Sequence, residues 1–440
     1  MSELLLDGET YNYLWLTDRS NSKAQQILRR YHGCTERPCC QCLTDTRNRQ
    51  LVIKTRCQRY YLARKADTSH HHAEWCLLYE PTETGGPSAK QKPAIQYEGD
   101  TVNVKLQTRL TRASFTTKQT DDKPVAEDKP NLPRSKAASL KPGRASTGLV
   151  GFFHALIQKA QLNDWQPQQT ERPFAASTRA LEKAAQTVTL EKQQPVAERL
   201  VITLWERSLE HSQAINLSAL QTRTANLQQA AIVVGEIMEC RNSTKVEGSL
   251  GLKLKLLNVP LWLPRPVART AINSFGKLFS EIGKPDRRIL AIAAVFRNKT
   301  SFVVSDIGLI RTNRQFIPVD SSYELQVADK LIAERRAFSK PLKLEDELRY
   351  LPDFLLHDCQ VPWVMEVFGI TNDDKYQAQK LEKLQYYRDH GIPCWQWEPA
   401  VDKVMQDFPV NELPSASLDQ EADDFALTIN GNGERITAGQ

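Results

Sequence analysis

The chain has 440 residues, 58 basic against 52 acidic side chains, a net charge of +6 and 40% apolar residues. That length allows two or three domains, each with its own core, and the balanced composition excludes a disordered or fibrous class. The small basic excess is compatible with a polyanionic partner without requiring one, and no apolar run reaches the roughly 18 residues of a membrane span.

Residues 1–81 read as a small Cys/His-rich β module. The opening stretch carries acids where a secretory signal carries bases, which predicts a cytoplasmic protein without membrane contact. Of nine cysteines, six (Cys34, Cys39, Cys40, Cys42, Cys57 and Cys76) precede residue 80. In a reducing compartment such clusters bind metal more often than they form disulfides. Cys40-Gln-Cys42 and His72-x-x-x-Cys76 offer three thiolates and an imidazole, a full tetrahedral set for structural Zn²⁺. The run His70-His71-His72 leaves the histidine open, and Cys39 or Cys34 could replace a thiolate. A reduced Cys/His segment without metal is the competing reading. Between the ligands, Arg59, Tyr60, Tyr61 and Arg64 mix bases with aromatics, which suits backbone contact and stacking on nucleic acid. A solvated strand pair is equally consistent.

Residues 82–147 read as a largely disordered linker with one strand-like stretch from Thr101. From Thr116 onward large apolar residues are too few to offset the entropy of ordering. Residues 148–320 predict a central α+β domain with a mixed or antiparallel sheet. Helical spacing occurs from Gly148 and over Thr178 to Val188, and strands are expected at Leu200 to Trp205, Ala231 to Met238, Gly251 to Trp262, Ile289 to Phe296 and Phe302 to Ile310. Glu236, alone in an apolar strand, is most simply a salt-bridge partner. Arg287, Arg288, Arg297 and Lys299 flank another strand and suit either solvent or a phosphate backbone. No Gly-rich phosphate loop, dinucleotide fingerprint or Ser/His/Asp pattern is found here.

Residues 321–409 carry the chemistry. The pattern predicts a helix over Ser322 to Phe338, a strand at Leu342 to Leu344, strands at Leu351 to Leu356 and Val361 to Phe368, a helix over Asp373 to His390 and a strand at Cys394 to Trp397. Residues 410–440 read as a disordered tail. Asp353 and Glu366 lie in apolar strand-like runs, where an ionised carboxylate needs a compensating cation. Mg²⁺ or Mn²⁺ binding by two such acids supports phosphodiester hydrolysis. On the second helix Tyr376, Lys380, Lys383 and Tyr387 share one stripe, so the lysines turn inward. Glu324 likewise shares a face with Ala328 and Leu331. Without a metal, Glu366 would be a buried partner of Lys380, Asp353 a cap or turn residue, and the lysines would snorkel to water.

The order helix with Glu324, Pro-Asp353-Phe strand, Met-Glu366-Val-Phe-Gly strand and Tyr/Lys/Lys/Tyr helix resembles the PD-(D/E)xK superfamily, the restriction-endonuclease-like nucleases with an αβββαβ core. The resemblance implies that Asp353 and Glu366 bind the metal, with support from Glu324. The usual lysine position holds Phe368. Related branches carry an apolar residue there and a lysine on the next helix, which points to Lys383, with Lys380 as the alternative, and leaves an inactive site open. The wider chain is similar to a family of bacterial proteins of unassigned function carried on plasmids and integrative conjugative elements. The similarity rests on Cys-x-Cys-Leu43, Arg59-Tyr-Tyr-Leu-Ala-Arg64, Cys-x-x-Tyr-Glu-Pro81, Gly148-Leu-Val-Gly-Phe-Phe-His154 and Val-Val-Gly-Glu236. It implies DNA, and other mobile-element proteins, as partners. The resulting expectation is a Mg²⁺-dependent DNA endonuclease or strand-cleaving component; the alternative is a nucleic-acid-binding or scaffold protein that no longer cuts.

Overall fold

A computed structural model describes residues 3–18, 21–43, 49–56, 59–65, 68, 71–73, 76, 78, 94–98, 100–112, 146–342, 350–369 and 374–410. The architecture is mixed α+β, with eight α-helices and several separate sheets among the described residues. His70, Cys57, the linker stretch 113–145 and the tail 411–440 lie outside them.

The amino-terminal module begins with a hairpin of β1 (Glu3–Leu6) and β2 (Glu9–Asn12). Its turn, Asp7-Gly8, has positive φ at both residues, the geometry a right-twisted two-residue hairpin needs. Helices α1 (Tyr13–Thr17) and α2 (Ser22–Tyr31) follow, capped by the side chains of Asn12 and Asn21. Strand β3 (Cys39–Cys40) pairs with β1, and β4 (Leu51–Arg56) with β5 (Arg59–Arg64) forms a second hairpin. Leu4, Leu16, Leu28, Leu51 and Leu62 fill the module's core beside Cys40, Cys42 and Cys76.

Next come β6 (Ile95–Glu98), β7 (Thr101–Val104), α3 (Leu149–Lys159), β8 (Asp164–Trp165), α4 (Phe174–Ala185), β9 (Val188–Leu190) and β10 (Gln194–Pro195). Strands β10-β9-β7-β6 make one small sheet. The central sheet is built from β11 (Leu200–Ile202), β12 (Ala231–Asn242), β13 (Leu250–Leu254), β14 (Leu261–Leu263), β15 (Arg287–Arg297), β16 (Phe302–Asn313) and β17 (Pro318–Val319). Helix α5 (Leu209–Arg223) precedes β12, and α6 (Arg265–Phe279) links β14 to β15. The first half of β12 pairs antiparallel with β15 and its second half with β13. Strand β13 then pairs with β14, β14 runs parallel to β16, and β16 returns to β15. The path β12-β13-β14-β16-β15 therefore closes on itself as a five-stranded barrel. Leu250, Leu252, Leu261, Ala291, Ala293 and Val304 belong to the buried cluster lining its inner side. Helices α3 and α4 join a second cluster with Ile232, Val234, Leu290 and Ile292, covering one outer side. The stretch from Gly251 to Trp262, expected as one strand, is two, because the chain turns at Leu256 with positive φ.

The carboxy-terminal region runs α7 (Ser322–Ala333), β18 (Phe338–Ser339), β19 (Phe354–Leu356), β20 (Trp363–Val367), α8 (Asp374–Asp389) and β21 (Cys394–Trp397). Helix α7 ends five residues short of Phe338, with Arg335 at positive φ, and Phe338 instead opens β18. No strand includes Leu342, and residues 343 and 344 lie outside the described set. Strands β18, β19 and β20 are antiparallel neighbours, and β21 lies parallel to β20. At the far edge β18 pairs with β8, so the sheet reaches back across the boundary expected at residue 320. Phe338, Phe354, Met365, Trp395 and Trp397 form its core together with Trp165 of β8.

Candidate metal centre and carboxylate–lysine site

The Cys/His ligand atoms converge as the sequence predicts. Cys40, Cys42, His72 and Cys76 are all buried, and their ligand atoms lie within 4.8 Å of one another. Sγ of Cys40 is 3.6 Å from Sγ of Cys76, and Nδ1 of His72 is 3.6 Å from Sγ of Cys42 and 3.7 Å from Sγ of Cys76. A tetrahedral Zn²⁺ with bonds of about 2.3 Å to sulfur and about 2.0 Å to nitrogen separates its ligands by about 3.5–3.8 Å. The group is thus shaped to hold a metal such as zinc. The backbone N–H groups of Ala73 and Leu78 donate to Sγ of Cys42 and Cys76, and the buried Arg49 guanidinium lies 3.8 Å from Cys42 Sγ. Such donors favour thiolate over thiol. Without a metal, the Cys76 contact and burial push the Cys40 thiol far up. Cys34 is exposed, while Cys39, though buried, directs its sulfur to the Cys40 carbonyl, so neither joins the set.

The second constellation lies across β19 and β20. Asp353 N–H donates to the Met365 carbonyl at 3.1 Å, and Val367 N–H donates to Asp353 Oδ2 at 2.7 Å. The Asp353 carboxylate is thereby fixed beside the strand that carries Glu366. Lys383 Nζ on α8 donates to Glu366 Oε2 at 2.7 Å and to the Leu351 carbonyl at 2.9 Å, and the Tyr387 hydroxyl donates to Glu366 Oε1 at 2.7 Å. Burial pushes the Glu366 carboxyl up to about 7, although Lys383 and Tyr387 pull it down; the nearby Asp353 charge adds to the rise. Burial, with Glu366, also raises the Tyr387 hydroxyl, which stays a donor.

Of the two lysines proposed from sequence, only Lys383 meets an acid of the pair. Lys380 lies over the Phe368 ring and its ammonium pairs with Glu398, which replaces the expected Lys380–Glu366 contact. The register of α8 decides this: Lys383 stands one turn nearer Tyr387 and so faces Glu366. Phe368 itself is buried, and its N–H donates to Trp397 O.

Glu324 is buried on α7, where its N–H is capped by Ser321 and its Oε2 accepts from Asp320 N–H. The same oxygen takes Lys340 Nζ at 2.6 Å. Lys340 was not evident from sequence. Its ammonium also lies 3.3 Å from Asp320 and 3.9 Å from Asp353. Burial opposes its charge, but Glu324, Asp320 and Asp353 outweigh that cost and raise its pKa. Burial raises the Glu324 carboxyl too. Among the described residues no three carboxylates approach one another as closely as the Cys/His ligands do.

The expected nucleic-acid residues sit on the β4–β5 hairpin. Arg59 binds Asp164 at 3.0 Å and Gln161 at 3.1 Å, tying the module to the central region. Arg64 donates to Leu78 O, and the Gln25 side-chain amide donates to Tyr60 O and accepts from Tyr60 N–H. The Tyr61 side chain is only partly buried. A second tie joins Asp18 to His357, which follows β19, and Leu14 packs into the cluster of Val364, Tyr386, Tyr387 and Ile392. Among the described residues no helix is long and apolar enough to cross a membrane.

No curated protein matches the chain. A family model described as protein of unknown function (DUF1173) matches residues 15–400, and the chain belongs to that family.

Proposed function

We propose that the protein is a divalent-metal-dependent DNA hydrolase with a carboxy-terminal domain of the PD-(D/E)xK type, a cytoplasmic strand-cleaving component of a mobile element. What carries the reading is that Asp353 is hydrogen-bonded to the strand of Glu366 on both sides of that residue, at Met365 and Val367, near enough for its charge to act on Glu366, with Lys383 2.7 Å from Glu366. The connectivity α7-β18-β19-β20-α8-β21 supports it, being the αβββαβ order of such nucleases. The donor set fits Mg²⁺ or Mn²⁺, which take one or two protein carboxylates and keep several waters. Asp353 is pinned through Oδ2 by Val367 N–H, and its Oδ1, 3.9 Å from Lys340 Nζ, is the oxygen that would take an ion. A divalent ion bound there supplies Lewis acidity toward the scissile phosphate.

The chain's own residues have distinct tasks. Val367 N–H and Tyr387 O–H orient the two carboxylates. Lys383 orients the attacking water and offsets negative charge developing on the phosphate. Glu324 is matched by Lys340 and supports the site from behind. At the other end of the chain we assign zinc to Cys40, Cys42, His72 and Cys76 as a structural ion, because so small a module has little core of its own.

Incubation with linear, supercoiled and single-stranded DNA in Mg²⁺ or Mn²⁺ tests this directly. Cleavage is expected, with loss in Asp353→Ala and Glu366→Ala; cleavage that survives either substitution overturns the assignment. The buried Phe368 at the usual lysine position favours a second reading, a nucleic-acid-binding or scaffold protein that does not cut. DNA binding with no cleavage in either ion selects it.

A further inference from the structure

The central barrel has one outer side covered by α3 and α4 and another, over β12, β13 and β14, where polar and aromatic side chains meet solvent. Cross-strand partners share a face, so Arg241 of β12, Gly251 of β13 and Trp262 of β14 form one row across it. The half-buried Trp262 indole lies against Gly251: a Cβ there would meet Cζ3 of Trp262 at 3.0 Å. The absent side chain lets the ring lie against the strand as a platform. Glu239 and Lys253, paired across β12 and β13, form the next row. Lys253 is exposed, as are Lys245 in the β12–β13 connection and Lys299 in the β15–β16 connection. Of the acids here, Glu239 is paired with Arg241, and Glu247 is exposed in the same connection as Lys245. Neither Lys245, Lys253 nor Lys299 has an ion pair with a described residue. Met238, 45% exposed, extends the apolar surface along β12.

We propose that this face binds single-stranded nucleic acid, with a base stacked on Trp262 and the phosphate backbone following Arg241, Lys245, Lys253 and Lys299. An aromatic platform flanked by bases is what recognition of unpaired bases requires, since every base has a π-face and every linker a negative charge. A duplex hides its base faces and cannot use the platform. The barrel supports the assignment independently. Its strand order, with the third strand parallel to the fifth and a helix between the third and fourth, is that of OB-type barrels, which present the second and third strands and the adjoining loops to oligonucleotides. The site needs nothing from Asp353 or Glu366, so it stands or falls apart from the hydrolase reading.

The test is fluorescence anisotropy of the full-length, zinc-loaded chain with labelled oligo(dT), oligo(U) and a duplex of equal length, without added Mg²⁺ or Mn²⁺. Single strands of either kind are expected to bind more tightly than the duplex. Trp262→Ala should weaken single-strand binding at least about tenfold, while Trp262→Phe should stay within about threefold. The double charge reversal Arg241→Glu with Lys253→Glu should weaken it and reduce its salt dependence. Lys183→Glu, an exposed charge reversal on α4 at the covered side of the barrel, should leave it unchanged. The proposal is overturned if neither single strand binds, if the duplex binds as tightly, if Trp262→Ala binds like the wild type, or if Lys183→Glu weakens binding as much as Trp262→Ala. Should Trp262→Ala fail to fold by circular dichroism, the exposed double reversal decides: unchanged binding overturns the site.

Discussion

Asp18 Oδ1 lies 3.1 Å from His357 Nδ1, joining the end of α1 to the strand that follows Asp353 across more than three hundred residues of chain. Both side chains are buried, and His357 Nε2 is 2.8 Å from Ser339 Oγ. Burial works against a charged imidazole here, but Asp18, with a contribution from Asp164, outweighs it and raises the His357 pKa; Arg59 opposes. A histidine with a folded pKa above its unfolded value of about 6.5 contributes stability that is fully present below about pH 6.5 and is lost as pH rises through the folded pKa. Stability from urea unfolding is therefore expected to fall with rising pH above neutrality. Asp18→Asn should flatten that slope and cost on the order of 3 kcal/mol at low pH. An unchanged slope in the variant removes this pair as its source.

Removing the metal from the Cys/His centre should act on the amino-terminal module first. Metal analysis of purified protein is expected to give about one zinc per chain. Chelation, or Cys42→Ser with its thiolate removed, should unfold the module, read as a lower-temperature calorimetric transition. Because Leu14 and Asp18 lean on the carboxy-terminal sheet, hydrogen exchange near Tyr387 and His357 should rise at the same time. A chelated chain that melts like the untreated one would falsify the structural role of the ion.

The two lysines of α8 are separable by kinetics. Lys383→Ala removes the donor to Glu366 and should lower cleavage about 10²–10³-fold. Lys380→Ala removes only the Glu398 pair beside Phe368 and should change it by less than about threefold. Rates of supercoiled plasmid nicking in Mn²⁺ distinguish them, and equal losses would reverse the assignment.

Lys340 and Glu324 form a buried ion pair whose halves should not be interchangeable with apolar residues one at a time. Lys340→Met leaves Glu324 uncompensated and is expected to cost about 3–5 kcal/mol in urea unfolding. Adding Glu324→Gln should recover a good part of that loss, since the unpaired charge is then gone. A double variant as unstable as the sum of the singles would show that the two do not interact.

Much of both sites was legible because each is written in local spacing. Cys-x-Cys, His-x-x-x-Cys and the stripe Tyr376, Lys380, Lys383, Tyr387 are fixed by the periods of turn and helix. The unread parts depend on contacts that sequence spacing does not record. Helix α5 buries Ser212, Asn216 and Leu220, so its inward stripe is largely polar; Ser212 and Asn216 satisfy the backbone at Glu206, Leu204 and Leu256. An apolar-period reading cannot find such a helix. Helix α6 buries the small residues Ala268 and Ala271 and is hidden for the same reason. Two-residue strands such as β8 and β18 have no periodicity at all. Nothing in the local spacing marks Lys340, because what holds it buried is its approach to Asp320, Glu324 and Asp353.

Trp165 and Asn163 have a consequence for how the molecule is made. Asn163 O accepts from Lys340 N–H and its Nδ2 donates back to Lys340 O, while Trp165 is fully buried among Phe338, Phe354 and Met365. On the ribosome, this early tryptophan waits through the synthesis of the whole barrel before its neighbours emerge. Closing so long a loop makes assembly of the last sheet a late, slow step. A fragment started at Ser321 would also lack the tryptophan and expose the backbone edge of Phe338–Ser339, inviting self-association. Expression of the carboxy-terminal piece is therefore best attempted with residues 160–170 supplied in the same polypeptide.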